Sequence, residues 1–195
     1  MNSQILQNEL KPGERLLWSG QPKGGILFRS SDIFMIPFSL MWGGFAIFWE
    51  ASVLFMMFSP SRASTGPPLI FQIIFPLFGL PFALVGLYMI FGRFIFDAKS
   101  RENTYYAVTD QRIIIVSDFF GRRVRSLNLK NLPELGLTEK SDGSGTITFG
   151  PASPFYGMNG GQWPGSQRYQ SPCFDLVPNV RQVYGIVQDA QQRAV

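Results

Sequence analysis

Two long apolar runs, Ile33 to Phe58 and Leu69 to Phe96, dominate the pattern of hydrophobic and polar positions. They hold 26 and 28 residues. A helix rising about 1.5 Å per residue needs only about 20 to cross a hydrocarbon core. Neither FMIPFSLMWGGFAIFW nor LIFQIIFPLFGLPFALVGLYMIF offers a polar face to water, which excludes an amphipathic core helix. The connector between them, residues 59–68 (SPSRASTGPP), is made of breakers and small polar groups. The pattern predicts a transmembrane hairpin over residues 33–96, with residues 1–32 before it and a water-soluble module over residues 97–195.

From Thr104 the pattern changes to short strands. Tyr105–Val108 and Arg112–Val116 flank Thr109-Asp110-Gln111, the signature of a hairpin. Asp118-Phe119-Phe120-Gly121 makes the next turn, and Arg123–Leu129 alternates as a half-buried strand does. Leu132–Lys140 and Gly145–Gly150 give two further strands around a DGSG turn, and Cys173–Val177 gives another. Apolar residues at Val180, Val183, Tyr184, Val187 and Ala190 predict a closing amphipathic helix. Upstream, Glu14–Gly20 is expected to return to the same sheet as an extra strand. Residues 151–172, rich in Gly, Pro, Ser and aromatics without periodicity, read as a long mobile loop.

Charge orients the hairpin. Arg15, Lys23 and Arg29 precede the first run, and Arg93, Lys99, Arg101 and Arg112 lie at or after the end of the second. The connector carries only Arg62. This asymmetry predicts both termini in the cytoplasm. Residues 1–32 contain no apolar signal-peptide core, so the first run is expected to insert uncleaved. From Asp97 onward there are 11 basic and 9 acidic residues, too even a balance to suggest nucleic-acid binding.

Within the hairpin, Pro76 and Pro81 are expected to kink the second helix without stopping it. Gly43-Gly44, Gly79 and Gly86 offer small faces for close packing. Glu50, beside Trp49, lies 17 residues into the first run, roughly 25 Å along, and fits the outer interface. Arg93, near the inner end, is expected to snorkel, too far away to pair with Glu50. A proton or ion path would need more than this one carboxylate. The role of Glu50 stays open, with an accessory subunit of a transporter or channel as the outlying reading.

The order GERLLWSGQP, two apolar helices, YYAVTDQRIIIV, a basic strand, GTITFG and FDLVPNVRQVYGIVQDAQ resembles the membrane-anchored bacterial pleckstrin-homology-like family over nearly the whole chain. The most specific piece is Tyr106–Val116, supported by Phe174–Ala190. The resemblance implies an α+β membrane protein. Its soluble part would be a PH-like antiparallel split β-barrel, capped by a C-terminal helix, at the cytoplasmic face of a bacterial inner membrane. It brings no catalytic residues and no cofactor.

The residues themselves also argue against catalysis. The chain has no histidine, which removes the usual metal sites and Ser-His or Cys-His nucleophiles. Cys173 is the only cysteine, so no internal disulfide can form. Asp142-Gly143-Ser144-Gly145 lacks the Lys and helix of a phosphate loop. The expected role is non-catalytic binding or scaffolding, with a protein partner or a second copy recruited at the lipid bilayer. The alternative is recognition of anionic headgroups by Arg122, Arg123, Arg125 and Lys130, where each basic residue near such a surface is worth about 1 kcal/mol. A solvated sheet face would carry the same arginines. Phe155, Tyr156, Trp163 and Tyr169 are the candidate contacts of the loop.

Overall fold

A computed structural model describes residues 2–29, 31–58, 68–150 and 171–194. The chain divides into two compact units: residues 28–95, and residues 1–27 together with 96–195.

The first unit is a helix pair. α2 (Asp32–Phe58) and α3 (Leu69–Leu87) are helical through Pro37, Pro76 and Pro81, so none of these prolines ends its helix. A π turn, Tyr88–Gly92, joins α3 to α4 (Arg93–Glu102), and the helical path therefore runs past the expected end at Phe96 to Glu102. Both helices are long and apolar enough to cross a membrane. What holds them together is a seam of small residues at spacings of three and four. Ser39, Gly43 and Ala46 are buried on α2, and Gly79, Ala83 and Gly86 on α3. A β-carbon added to Gly86 would lie 2.7 Å from the Gly43 Cα, so glycine is required for this approach. The large side chains point outward, for example Phe34, Phe55 and Phe58.

The second unit is α+β. α1 (Asn2–Gln7) precedes β1 (Leu16–Gly20). β2 (Thr104–Thr109), β3 (Arg112–Ser117) and β4 (Arg123–Asn128) complete an antiparallel sheet in the order β1-β2-β3-β4. A 3-10 turn over Leu129–Asn131 leads to β5 (Leu135–Glu139), β6 (Gly145–Phe149) and β7 (Cys173–Val177), which form a second antiparallel sheet. α5 (Val180–Ala194) ends the chain. The strand expected from Leu132 starts only at Leu135, because Leu132 closes the 3-10 turn and Pro133 after it supplies no N–H for a ladder. The sheets are separate rather than joined into one closed barrel.

Alternation buries both faces of the first sheet. Tyr106, Val108 and Ile113 meet Ile147, Phe149 and Phe174 of the second sheet and Val180, Val183 and Val187 of α5. The intervening Ala107, Ile114 and Val116 face Leu6 of α1, an element the sequence reading did not anticipate. The Tyr106 ring stacks on Phe174 at 4.6 Å, and its hydroxyl accepts the Asp175 N–H at 3.0 Å.

Candidate functional site

The most regular exposed edge of the first sheet is β4. Its register with β3 is unbroken over six pairs, from Arg112↔Asn128 to Ser117↔Arg123. β1, at the opposite edge, carries a register shift between Leu16 and Trp18. Bulged edges resist further pairing, whereas a regular edge presents a row of backbone donors and acceptors. Among the described residues no strand pairs with the outer side of β4.

The register also places the arginines. Arg123 and Arg125 oppose Ser117 and Ile115, so they lie on the face of the sheet that carries the Ile113 core, and Arg125 is half-buried there. Val124 faces the other way and is 41% exposed. Arg122 is drawn back to the N-terminal segment. Its Nη2 lies 2.6 Å from Glu9 Oε1 and also donates to the Ile5 carbonyl. Lys130 sits in the 3-10 turn at the far end of β4, exposed. The four basic residues expected to act together are therefore divided: Arg123 and Arg125 share one face of β4, Lys130 lies beyond its far end, and Arg122 is neutralised by a partner more than a hundred positions away. Arg123 stands beside a cleft of about 40 Å³ lined also by Phe96, Ser100, Ser117, Phe119 and Phe120. Phe155, Tyr156, Trp163 and Tyr169 lie outside the described residues.

The turn that feeds β4 is built on aromatic stacking. Gly121 has φ +88°, a conformation L side chains rarely adopt, and it reverses the chain directly after Phe120. Phe96 stacks on Phe120 at 5.6 Å and meets Phe119 edge-on at 5.1 Å. The Asp118 N–H donates to the Asn103 carbonyl at 2.9 Å, tying the turn to the end of α4.

Two polar clusters hold the N-terminal segment against the sheet. Arg112 grips both oxygens of Glu14, from Nε at 2.8 Å and from Nη2 at 2.9 Å. The Thr109 hydroxyl and the Lys11 N–H also donate to that carboxylate. Burial pushes the Glu14 carboxyl up, but the hydrogen bonds from Arg112, Lys11 and Thr109 outweigh it and hold it at about 2. Arg101 binds Asp97 at 3.0 Å and donates to the carbonyls of Lys23 and Gly25, while Lys23 pairs with Asp142 at 2.7 Å. The hydrogen bonds from Lys23 and Ser144 hold the Asp142 carboxyl far below the usual range.

In the helix pair, Arg93 has an ion-pair partner: its Nη1 lies 3.0 Å from Asp32 Oδ1. No local sequence signal marks Asp32 as the partner of a residue on another helix. Glu50 is 9% exposed, and a β-carbon at Gly79 would collide with its Oε2. It thus fills the hole that Gly79 leaves in the facing helix. The chain matches no family model, no curated protein and no solved structure.

Proposed function

We propose that this chain is a membrane-anchored, non-catalytic adaptor whose α+β unit receives an extended segment of a protein partner along β4. The observation that carries this reading is the regular, exposed β4 edge in a sheet whose two faces are already occupied. With Ile114 and Val116 under α1 and Ile113 against the second sheet, the recognition capacity left in the first sheet is its edge. Strand addition takes its affinity from main-chain hydrogen bonds and its specificity from alternate side chains. Here Arg123 and Arg125 would favour acidic residues on one face of the incoming strand, and Val124 an apolar residue on the other. In this reading the two apolar helices anchor the adaptor in the bilayer, with the PH-like fold and cytoplasmic orientation expected from the sequence.

A photo-crosslinking residue at Val124 or Ser126, in the full chain in its native membrane, tests the proposal. The expected result is one discrete protein adduct from both positions and none from exposed Gln182 on α5. The adduct should be lost in an Arg123→Glu, Arg125→Glu chain. A protein adduct as strong from Gln182 as from β4, or none at all, would overturn the reading. Adducts to phospholipid alone would transfer the site to anionic headgroups, a second reading favoured by the position of Arg123 at the Ser100–Ser117 cleft.

A further inference from the structure

We infer that the Phe119–Phe120 turn is a hydrophobic wedge that seats the α+β unit in the surface of the lipid bilayer. This does not rest on the partner-binding reading. The large apolar side chains described in the α+β unit include two that stand far out of the protein, Phe120 at 69% exposed and Ile26 at 61%. The next are Val124 at 41% and Leu16 and Leu17 at 40%. A turn that needed its phenylalanines only for packing would bury both. Here Phe119 is half-buried and Phe120 projects.

Position along the chain ties both residues to the start and end of the apolar helix pair. Ile26 stands one residue before the boundary at which the chain enters the apolar helix pair, and Phe96 is the first residue after the chain leaves it. Phe120 is fixed to Phe96 by ring stacking at 5.6 Å. Both projecting side chains are therefore held next to the points where the chain passes to helices able to cross a membrane.

Charge fits the same occupant. Phe120 is followed by Gly121, Arg122 and Arg123. Among the described residues Arg123 has no ion-pair partner, and the two aromatics beside it line the same cleft. An apolar tip with a cation three residues behind it matches the layering of acyl chains under anionic phosphates. A protein groove would supply the apolar contact without requiring the neighbouring charge.

The test uses the full chain in nanodiscs of mixed neutral and anionic phospholipid, in a Cys173→Ser background. A nitroxide is attached at Asp118→Cys, which leaves both phenylalanines in place, at Phe120→Cys, and at exposed Ser141→Cys in the β5–β6 turn. Accessibility to oxygen is compared with accessibility to a water-soluble nickel chelate. The expected oxygen-to-nickel ratio is severalfold higher at 118 and 120 than at 141. At 118 it should fall toward the 141 value when Phe120→Ser is added. Equal ratios at all three positions would overturn the wedge, as would a ratio at 118 indifferent to Phe120→Ser. Neither result bears on strand addition at β4, which is read by protein adducts.

Discussion

Asp32 and Arg93 form an ion pair at 3.0 Å between two helices, and each side chain is only 3% exposed. Arg93 also lies over the Phe94 ring at 4.5 Å, and Asp32 accepts the Arg29 N–H at 2.6 Å. Removing one partner of a buried pair strands the other charge, at a cost of about 3–5 kcal/mol, whereas replacing both with apolar residues is often near neutral. Asp32→Asn or Arg93→Leu alone is expected to destabilise the helix pair by about that amount. The double variant Asp32→Leu, Arg93→Leu should recover most of it. Denaturant titration of the full chain in micelles checks this, and equal losses in single and double variants would show that the pair itself is not the source.

Gly43 and Gly86 meet backbone to backbone, so a side chain at 86 has nowhere to go. Gly86→Leu is expected to force the helices apart, while Gly44→Leu, where no atom lies within 4 Å of an added β-carbon, should be tolerated. Disulfide trapping between cysteines at Ala46 and Ala83, which lie on the buried seam between the Gly43–Gly86 and Glu50–Gly79 contacts, compares the two. Trapping that survives Gly86→Leu unchanged would contradict the close crossing.

Glu14 makes folding sensitive to acid in a definite direction. Its carboxyl is lowered from an ordinary 4.5 to about 2 in the folded protein. The folded state therefore gains from it fully above pH 4.5, loses that gain as pH falls toward 2, and has none of it below. The shift corresponds to about 3 kcal/mol. Glu14→Gln should be less stable than the parent at pH 7, with the difference shrinking between pH 4.5 and 2. A gap independent of pH over that window would mean that the carboxylate charge is not what Arg112 needs.

Arg123 and Lys130 separate a localised site from general basicity. Arg123→Glu is expected to weaken capture at β4 severalfold, while Lys130→Glu at the far end leaves it within a factor of two. Quantified crosslinking yield from position 124 reads both. Equal losses would mean that bulk charge, not the strand edge, attracts the partner.

The β2–β3 hairpin was legible because the short apolar runs Tyr105–Val108 and Ile113–Val116 flank a turn, a signal spanning a dozen residues. The α5 stripe at Val180, Val183, Val187 and Ala190 was legible for the same reason, and these residues are buried. α1 was not. Its burial rests mainly on Leu6, which finds Ile114 and Val116 only after the chain has returned more than a hundred positions later. The basic cluster of β4 looked like one patch because its residues are close in sequence. The 3-10 turn that carries Lys130 away from β4 and the Glu9 partner of Arg122 divide it.

Periodicity and length by themselves determined the two apolar helices, the strand succession and the closing helix, because each depends on neighbours within a few turns of the same segment. Pairing across the chain was decided only in three dimensions. Arg93 chose Asp32, Glu14 was captured by Arg112, Glu50 filled the hole at Gly79, and Phe120 was left standing on Phe96. Such contacts depend on where folded elements bring distant side chains. No local pattern of hydrophobic and polar positions records that.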